Sequence, residues 1–257
     1  MATDNGEKPK VTLYWLNGSR AQRIVWLLEE CTDLDYNIEV FKRGEDKLAP
    51  AELKQIHPLG KSPVIKVEAP GAEPVILAES GTMMEYLSEY FASRLIPKRY
   101  RDGMEGKIGG ETEQWQRYRF YMHYAEGSLM SPLLMALLLS FSGIRNAPVP
   151  FFIKPITRSI ANNVESSFLN KQFETHFGFL ESQLKSSPEG GNYLCGKDLT
   201  TADILMSFPL IAGKTKVDAN LYPTLTAYTK LLESNEVYQR SIKKIEETSG
   251  IPFKVTP

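Results

Sequence analysis

A short run at residues 57–65, HPLGKSPVI, places a serine and a proline directly before a β-branched pair. Pro63 suits the first position of a strand, and X-Pro bonds are almost the only peptide bonds that adopt the cis form. If the Ser62-Pro63 bond is cis and Val64 faces an open strand edge, the backbone N–H and C=O of Val64 can pair with a short peptide as an added strand would. The run therefore predicts a binding edge for an extended ligand.

Glu79 and Ser80 follow this run after a turn-rich gap and offer groups for the two ends of such a peptide. A carboxylate binds an ammonium group, and a serine beside the free amide groups at the start of a helix binds a carboxylate. Together the two motifs predict a clamp for a small peptide.

The overall charge and the cysteine and histidine content exclude several classes of site. The 257 residues include 30 Lys and Arg against 31 Asp and Glu, so no global basic field attracts nucleic acid or anionic lipid. The two cysteines, Cys31 and Cys195, have no C-x-x-C spacing, which is typical of a reducing compartment and gives no metal or dithiol site. The three histidines are dispersed, and we expect no zinc cluster.

The chain has no segment that we expect to cross a membrane. Residues 1–10 are polar and lack the apolar core of a secretory signal. The most apolar stretch, Leu129 to Phe141, is too short for a bilayer and is interrupted by serine and proline. We interpret it as a buried helix.

Hydrophobic patterning predicts two domains. The order of elements in the first half is strand, helix, strand, short helix, hairpin and helix, which predicts one mixed sheet covered by helices. The second half shows only helical patterns, at 111–140, 151–185, 201–211, 222–232 and 236–247. The predicted boundaries are a flexible lead at 1–10, the sheet domain at 11–94, a Gly- and Pro-bearing linker at 95–110, and an all-helical domain at 111–257.

One helix start in the second half is well marked. Thr200 is a candidate N-cap with Asp203 at N3, which is the pattern of a capping box, and Leu199 can pack on Ile204. We interpret this motif as a folding device.

The order of these motifs, with the turn sequence SRAQR at 19–23 after the first strand, resembles the soluble glutathione transferase superfamily, and in particular its fungal and bacterial type. The resemblance covers about Val11 to about Ile245. It implies a thioredoxin-like N-terminal domain, an α-helical C-terminal domain and a homodimer. It also implies a transferase that adds the glutathione thiolate to hydrophobic electrophiles or uses it to reduce organic hydroperoxides, with glutathione as co-substrate and no metal or bound redox cofactor.

The resemblance also implies roles for individual residues. It places Ser19 at the thiol of glutathione, Lys61 near the glycyl carboxylate, Val64 on the cysteinyl backbone, and Glu79 with Ser80 on the γ-glutamyl end. The implied glutathione-binding set is Lys61, Ser62, Pro63, Val64, Glu79 and Ser80.

Ser19 has a competing structural interpretation. With Gln22 it forms an S-x-x-Q capping box, which would place a serine there for helix stability alone. Asn17 is the first alternative as thiolate donor, and Tyr14, inside the predicted strand, is the second. The turn from Asn17 to Arg20 contains no cysteine, which argues against thiol-disulfide exchange.

An acceptor site is expected between the domains, along the helix that begins near Glu111. Tyr118, Tyr121 and Tyr124 are the candidates to line it, although core packing will claim some of these aromatic rings. Two other functions stay open, a non-catalytic glutathione-binding or regulatory protein and a carrier of apolar ligands. Without targeting signals we expect cytoplasmic residence, and the resemblance allows peripheral association with the endoplasmic reticulum membrane.

Overall fold

The computed structural model describes residues 7–140 and 143–255, with the side chain of Ser140 left out. A four-stranded sheet with the order β2-β1-β3-β4 forms the first half. β1 is parallel to β2, and β3 is antiparallel to both β1 and β4. The strands are β1 (Lys10–Leu16), β2 (Asp35–Phe41), β3 (Val64–Glu68) and β4 (Val75–Ala78). The predicted mixed sheet is confirmed.

Three helices belong to this half of the chain: α1 (Gln22–Glu30), α2 (Leu53–Ile56) and α3 (Ser80–Phe91), of which α3 contacts β3 and β4. β1 is almost continuously buried, so its side chains on both faces of the sheet are shielded from solvent, and Val11 and Leu13 have no exposed surface. α1 is buried on nearly every side, since it contacts α3 and two helices of the second half, Thr201–Gly213 and Glu236–Ser249. The start of α1 is therefore fixed against both halves of the chain.

The second half is helical in every element that the structure describes. Its helices are α4 (Glu113–Tyr124), α5 (Met130–Ser140), α6 (Lys154–Val164), α7 (Asn170–Lys185), α8 (Thr201–Gly213), α9 (Pro223–Glu233) and α10 (Glu236–Ser249). The implied combination of a thioredoxin-like sheet domain and a helical domain is confirmed.

Two π-helical turns interrupt helices that the sequence predicted as continuous. Ala125–Leu129 joins α4 to α5, and Glu165–Leu169 joins α6 to α7. A π turn adds one residue to a helical turn, which rotates the following side chains while the apolar pattern continues. Periodicity alone therefore does not reveal it.

Of the two capping boxes predicted from sequence, one is confirmed and one is wrong. At the start of α8, the Thr200 N–H donates to the Asp203 carboxylate at 2.8 Å in a complete capping box. At the start of α1, the cap position is Ala21, with no side-chain cap, and the Gln22 amide instead donates to the Ser241 hydroxyl on α10 at 3.4 Å. A long-range contact between α1 and α10 takes the place of the local one.

The stretch from Leu129 to Phe141, predicted as a buried helix, is helical through Ser140, and Phe141 lies outside the described residues. Only one side of it is buried: Leu134, Met135 and Leu138 are exposed, so the prediction of burial is wrong for that face. By length and composition alone, the helical run that starts at Glu113 could cross a membrane. In its most apolar stretch of 18 residues, 33% is buried. Core helices of proteins that do not enter membranes can have the same length and apolar composition.

Candidate active site

A cavity of about 110 Å³ lies where the start of α1, the first residues of β3, the start of α3 and the first π turn meet. It brings both sequence motifs together on one wall. The lining residues are Arg20, His57, Leu59, Lys61, Ser62, Pro63, Val64, Ala78, Glu79, Ser80 and Glu126.

The Ser62-Pro63 peptide bond is cis, and Pro63 and Val64 are buried against the cavity. Val64 does not lie on an open sheet edge, because β3 is an interior strand and Val64 is in register with Tyr14 on β1 and with Ala78 on β4. It begins its strand, so the cavity wall is a strand end. The edge geometry expected from the sequence is corrected in this respect.

Glu79 and Ser80 enter the cavity from the turn between β4 and α3. Glu79 has a φ of 68°, a left-handed conformation that costs a non-glycine residue about 1 to 3 kcal/mol and that is concentrated at functional sites. Its exposed carboxylate has no hydrogen-bond or ion-pair partner among residues 7–140 and 143–255. Ser80 is 6% exposed, and its hydroxyl oxygen accepts a hydrogen bond from Arg23 at 2.9 Å.

Ser19 lies beside this wall, in the loop between β1 and α1. Its hydroxyl oxygen accepts from the Ala21 N–H at 3.2 Å and lies 3.5 Å from the hydroxyl oxygen of Ser62. Ser62 in turn donates to the carbonyl oxygen of Tyr14 at 2.9 Å. The Ser19 hydroxyl is thus held next to a cavity residue and close to the N-terminus of α1.

Asn17 is engaged on the other side of the same loop. Its side-chain oxygen accepts from the Arg43 N–H at 2.8 Å, and the Arg43 guanidinium donates to the Asn17 carbonyl oxygen at 2.9 Å. Tyr14 lies in β1 with its ring against Phe41, and burial raises its pKa. Neither of these side chains lines the cavity. Ser19 is not a lining residue either, but its hydroxyl lies within 3.5 Å of the hydroxyl of Ser62, which is one.

Arg23 and Glu126 are the charged residues of this region that the sequence analysis missed. Arg23 has no exposed surface, and burial lowers the pKa of its guanidinium while the Glu126 carboxylate opposes that change. Glu126 also forms an ion pair with Arg20 at 3.1 Å. The sequence offered one signal for a buried charge, an arginine next to the apolar positions of α1. It could not indicate the carboxylate partner, which is 103 positions away in the chain.

The three candidate acceptor tyrosines lie in the helical core and do not line the cavity. Tyr118, Tyr121 and Tyr124 are 4%, 0% and 7% exposed, and burial raises the pKa of each hydroxyl. The Tyr124 hydroxyl lies 2.6 Å from Nδ1 of His176. A second, more open cavity of about 300 Å³ follows the outer face of α4, with the lining residues Glu111, Trp115, Gln116, Arg119, Phe120 and His123.

Both cysteines are free and lie outside the cavity. Burial raises the pKa of Cys31 to about 12 and raises the pKa of Cys195 well above its ordinary value. Such thiols stay protonated at neutral pH and are poor nucleophiles. Within the described ranges, no group of three or more His, Cys, Asp and Glu side chains could hold a metal ion.

Comparison with known families identifies both halves of the chain. Residues 18–89 match the family described as "Glutathione S-transferase, N-terminal domain", and residues 149–240 match "Glutathione S-transferase, C-terminal domain". The chain is 33% identical to Glutathione S-transferase 1 of Saccharomyces cerevisiae over 239 residues, which cover 92% of this chain and 95% of the yeast protein.

This chain belongs to the glutathione S-transferase family. A solved glutathione S-transferase from Actinobacillus pleuropneumoniae is 28% identical, with a TM-score of 0.64 over 91% of this chain and 92% of the bacterial one. A glutathione transferase homologue from Lodderomyces elongisporus, solved with two GSH per subunit, shares the fold, with 17% identity and a TM-score of 0.65 over 90% of this chain and 97% of that chain. In this glutathione transferase, the cavity at the sheet end is the candidate active site.

Proposed function

We propose that this glutathione transferase ionises the thiol of glutathione with the Ser19 hydroxyl and adds the thiolate to hydrophobic electrophiles. The observation that carries the proposal is the position of the Ser19 hydroxyl, 3.5 Å from the hydroxyl of Ser62, which lines the cavity. The Asn17 side chain is held instead by the Arg43 N–H and forms no hydrogen bond with a lining residue among the residues that the structure describes.

The hydrogen-bond pattern supports Ser19 as a donor. A serine hydroxyl has one proton, and Ser62 uses its proton on the Tyr14 carbonyl oxygen. The proton between Ser19 and Ser62 therefore belongs to Ser19, and at 3.5 Å that hydrogen bond is weak. A thiolate that enters the cavity offers this proton a stronger acceptor. The Ala21 N–H, which donates to the Ser19 oxygen, polarises the hydroxyl toward donation.

The energies are of the right size. A free thiol has a pKa of about 8.5, and lowering it by roughly two units needs about 2.7 kcal/mol of preference for the thiolate. A hydrogen bond to a charged group contributes about 1.5 to 3 kcal/mol, and a helix N-terminus adds about 0.3 to 1 kcal/mol. With an aryl halide, the thiol proton passes to solvent, a carbon–sulfur bond forms and halide leaves.

The charges around the cavity match the ends of glutathione. Glu79 has an exposed carboxylate for the γ-glutamyl ammonium group, and Ser80 has a hydroxyl for the neighbouring carboxylate. Lys61, also exposed at the cavity, suits the glycyl carboxylate. The cysteinyl unit then lies near Val64, with its sulfur toward Ser19.

The test is conjugation of 1-chloro-2,4-dinitrobenzene by the purified protein, compared with Ser19→Ala and Asn17→Ala. We expect kcat to fall about 10- to 100-fold in Ser19→Ala and to change little in Asn17→Ala. If the protein binds glutathione in calorimetry but catalyses no conjugation, it is a non-catalytic binding protein. If kcat falls in Asn17→Ala and changes little in Ser19→Ala, Asn17 is the thiolate donor.

The same thiolate supports a peroxidase reaction. Attack of the thiolate on the terminal oxygen of cumene hydroperoxide cleaves the O–O bond, forms the sulfenic acid of glutathione and releases the alcohol after protonation. A second glutathione then attacks the sulfenic acid, which forms the disulfide of oxidised glutathione and releases water. The assay is oxidised-glutathione formation by wild type and Ser19→Ala, and loss in parallel with conjugation is the expected result.

The proposal includes a homodimer and cytoplasmic residence. Two free cysteines favour a reducing compartment, and light scattering should give twice the chain mass of 29.0 kDa. A monomer in that measurement would contradict the dimer.

The proposal also includes peripheral association with a membrane such as the endoplasmic reticulum. Residues 127–164 contain no Asp or Glu and three basic residues. Lys154 and Arg158 have no ion pair with any described residue. Apolar side chains flanked by basic ones are typical of helices that lie in the interface of an anionic bilayer. We call the exposed large apolar side chains of α5, α6 and the turns next to them the exposed apolar surface. They are Leu134, Met135, Leu138, Ile144, Phe151, Phe152, Ile156, Ile160 and Phe168.

A further inference from the structure

Arg23 joins the two halves of the fold through one buried guanidinium. It donates from Nη2 to the Ser80 hydroxyl oxygen at 2.9 Å and from Nη1 to the Leu205 carbonyl oxygen on α8 at 3.0 Å. Nη2 also donates to the Glu126 carboxylate. An arginine without exposed surface is rare unless it is paired, because an uncompensated buried charge is strongly destabilising. Glu126 supplies that compensation.

Glu126 reaches the cavity because it lies on the first π turn, which interrupts the helical run between α4 and α5. Its side chain is 35% exposed, and its second oxygen lies 3.1 Å from Nε of Arg20, in the loop that carries Ser19. π turns are frequent at functional sites, where they redirect a side chain. Here the turn directs a carboxylate of the helical domain toward two arginines of the sheet domain.

The contact between Arg23 and Ser80 determines where the Ser80 proton can point. A guanidinium only donates, so it occupies an acceptor position on the hydroxyl oxygen. Among the residues that the structure describes, none accepts a hydrogen bond from Ser80. Its proton is therefore available to a group in the cavity that Ser80 lines.

We propose that Arg23 and Glu126 are positioning residues that hold the Ser80 hydroxyl as a donor to the α-carboxylate of the γ-glutamyl unit. Glu126 acts through Arg23: it keeps the guanidinium on the Ser80 oxygen, and without that charge Arg23 turns toward other acceptors. The inference rests on the proposed glutathione site and adds that selection of the carboxylate depends on the helical domain.

The test uses Glu126→Gln and two ligands in calorimetry. The ligands are glutathione and 4-aminobutanoyl-cysteinylglycine, which lacks only the α-carboxylate. We expect Glu126→Gln to bind glutathione about tenfold more weakly than wild type and to bind the analogue equally well, so the preference for glutathione falls. A merely structural loss would weaken both ligands alike and would overturn the proposal.

The matched control is Glu165→Gln. Glu165 is also the first glutamate of a π turn and is held by two basic residues, Arg145 at 2.6 Å and Lys216 at 2.8 Å, but it lies outside the cavity. We expect this variant to keep the wild-type preference. An equal loss of preference in both variants would contradict a specific role for Glu126.

A second set of variants keeps the test decisive if Glu126→Gln does not fold. Ser80→Ala alone should lower the preference for glutathione, and an unchanged preference overturns the proposal. In the Ser80→Ala background, Glu126→Gln should add no further loss, whereas additive losses would show that Glu126 does not act through Ser80. If the wild-type protein binds no glutathione, the proposed function itself is wrong. If the wild type binds glutathione and Glu126→Gln binds it equally well, only this inference is wrong.

Discussion

The hydroxyl oxygens of Ser19 and Ser62 lie 3.5 Å apart. Ser19 is in the loop before α1, and Ser62 directly precedes Pro63 at the start of β3. Ser62 donates its own proton to the strand beside it, which leaves the Ser19 proton in a weak hydrogen bond. A hydroxyl held in this way can redirect its hydrogen bond to a stronger acceptor, such as a thiolate, without breaking another strong contact, and the proton stays on the Ser19 oxygen. This arrangement is the basis of the first prediction.

Ser19→Ala should raise the pKa of enzyme-bound glutathione. Removal of one hydrogen bond to a charged group, worth about 1.5 to 3 kcal/mol, corresponds to a rise of about one to two pH units. The measurement is the thiolate absorbance of bound glutathione as a function of pH. Ser19→Thr, which keeps the hydroxyl, is the control, and an unchanged pKa in Ser19→Ala would show that another group stabilises the thiolate.

The buried carboxylate at the start of α8 should determine stability without affecting binding. Asp203 has no exposed surface and accepts from the Thr200 N–H and hydroxyl, the Leu194 N–H and the Tyr228 hydroxyl, the last at 2.6 Å. Tyr228→Phe removes one donor and should lower the free energy of unfolding by about 1 to 3 kcal/mol. Thr200→Ala should lower it by about 1 kcal/mol.

Urea denaturation measures both changes, and Thr200→Ser, which keeps the hydroxyl, should be close to wild type. Glutathione affinity should stay constant, because neither residue lines the cavity. A loss of affinity in variants that are still folded would contradict the assignment of this motif to folding alone.

His176 should make the helical domain sensitive to acid. Burial lowers the pKa of His176 below its ordinary value of about 6.5. The unfolded chain therefore binds a proton at a higher pH than the folded chain does, so stability is full above about pH 6.5 and falls as the pH drops toward the folded pKa. The measurement is the melting temperature of wild type and His176→Gln between pH 7.5 and pH 5. A smaller decline in the variant is expected, and an equal decline would assign the effect to other groups.

The exposed apolar surface should bind anionic vesicles. Phe151 and Phe152 are 83% and 65% exposed, and replacing both with aspartate should abolish co-sedimentation with phosphatidylserine-containing vesicles. Leu221→Asp, at a site 66% exposed outside this surface, is the control. Unchanged vesicle binding in the double variant would contradict the membrane proposal. A change from dimer to monomer in light scattering would instead assign the surface to a second copy of the chain.

Features encoded by neighbouring residues could be predicted from the sequence. The order of strands and helices follows from local hydrophobic period, and the capping box at Thr200 needs only Asp203, three positions away. The cis bond before Pro63 and the placement of Glu79 and Ser80 at the start of α3 also depend on short motifs. In these cases, one segment of chain contains all the atoms that stabilise the structure.

The tertiary structure decided the features whose partners are far apart in the chain. Gln22 contacts Ser241 across 219 positions and so does not cap its own helix, and Arg23 finds Glu126 across 103 positions. The π turn that directs Glu126 to the cavity leaves no periodic signal, since the apolar pattern continues through it. Arg23 can be buried because the Glu126 carboxylate compensates its charge, and Glu126 belongs to the helical half of the chain.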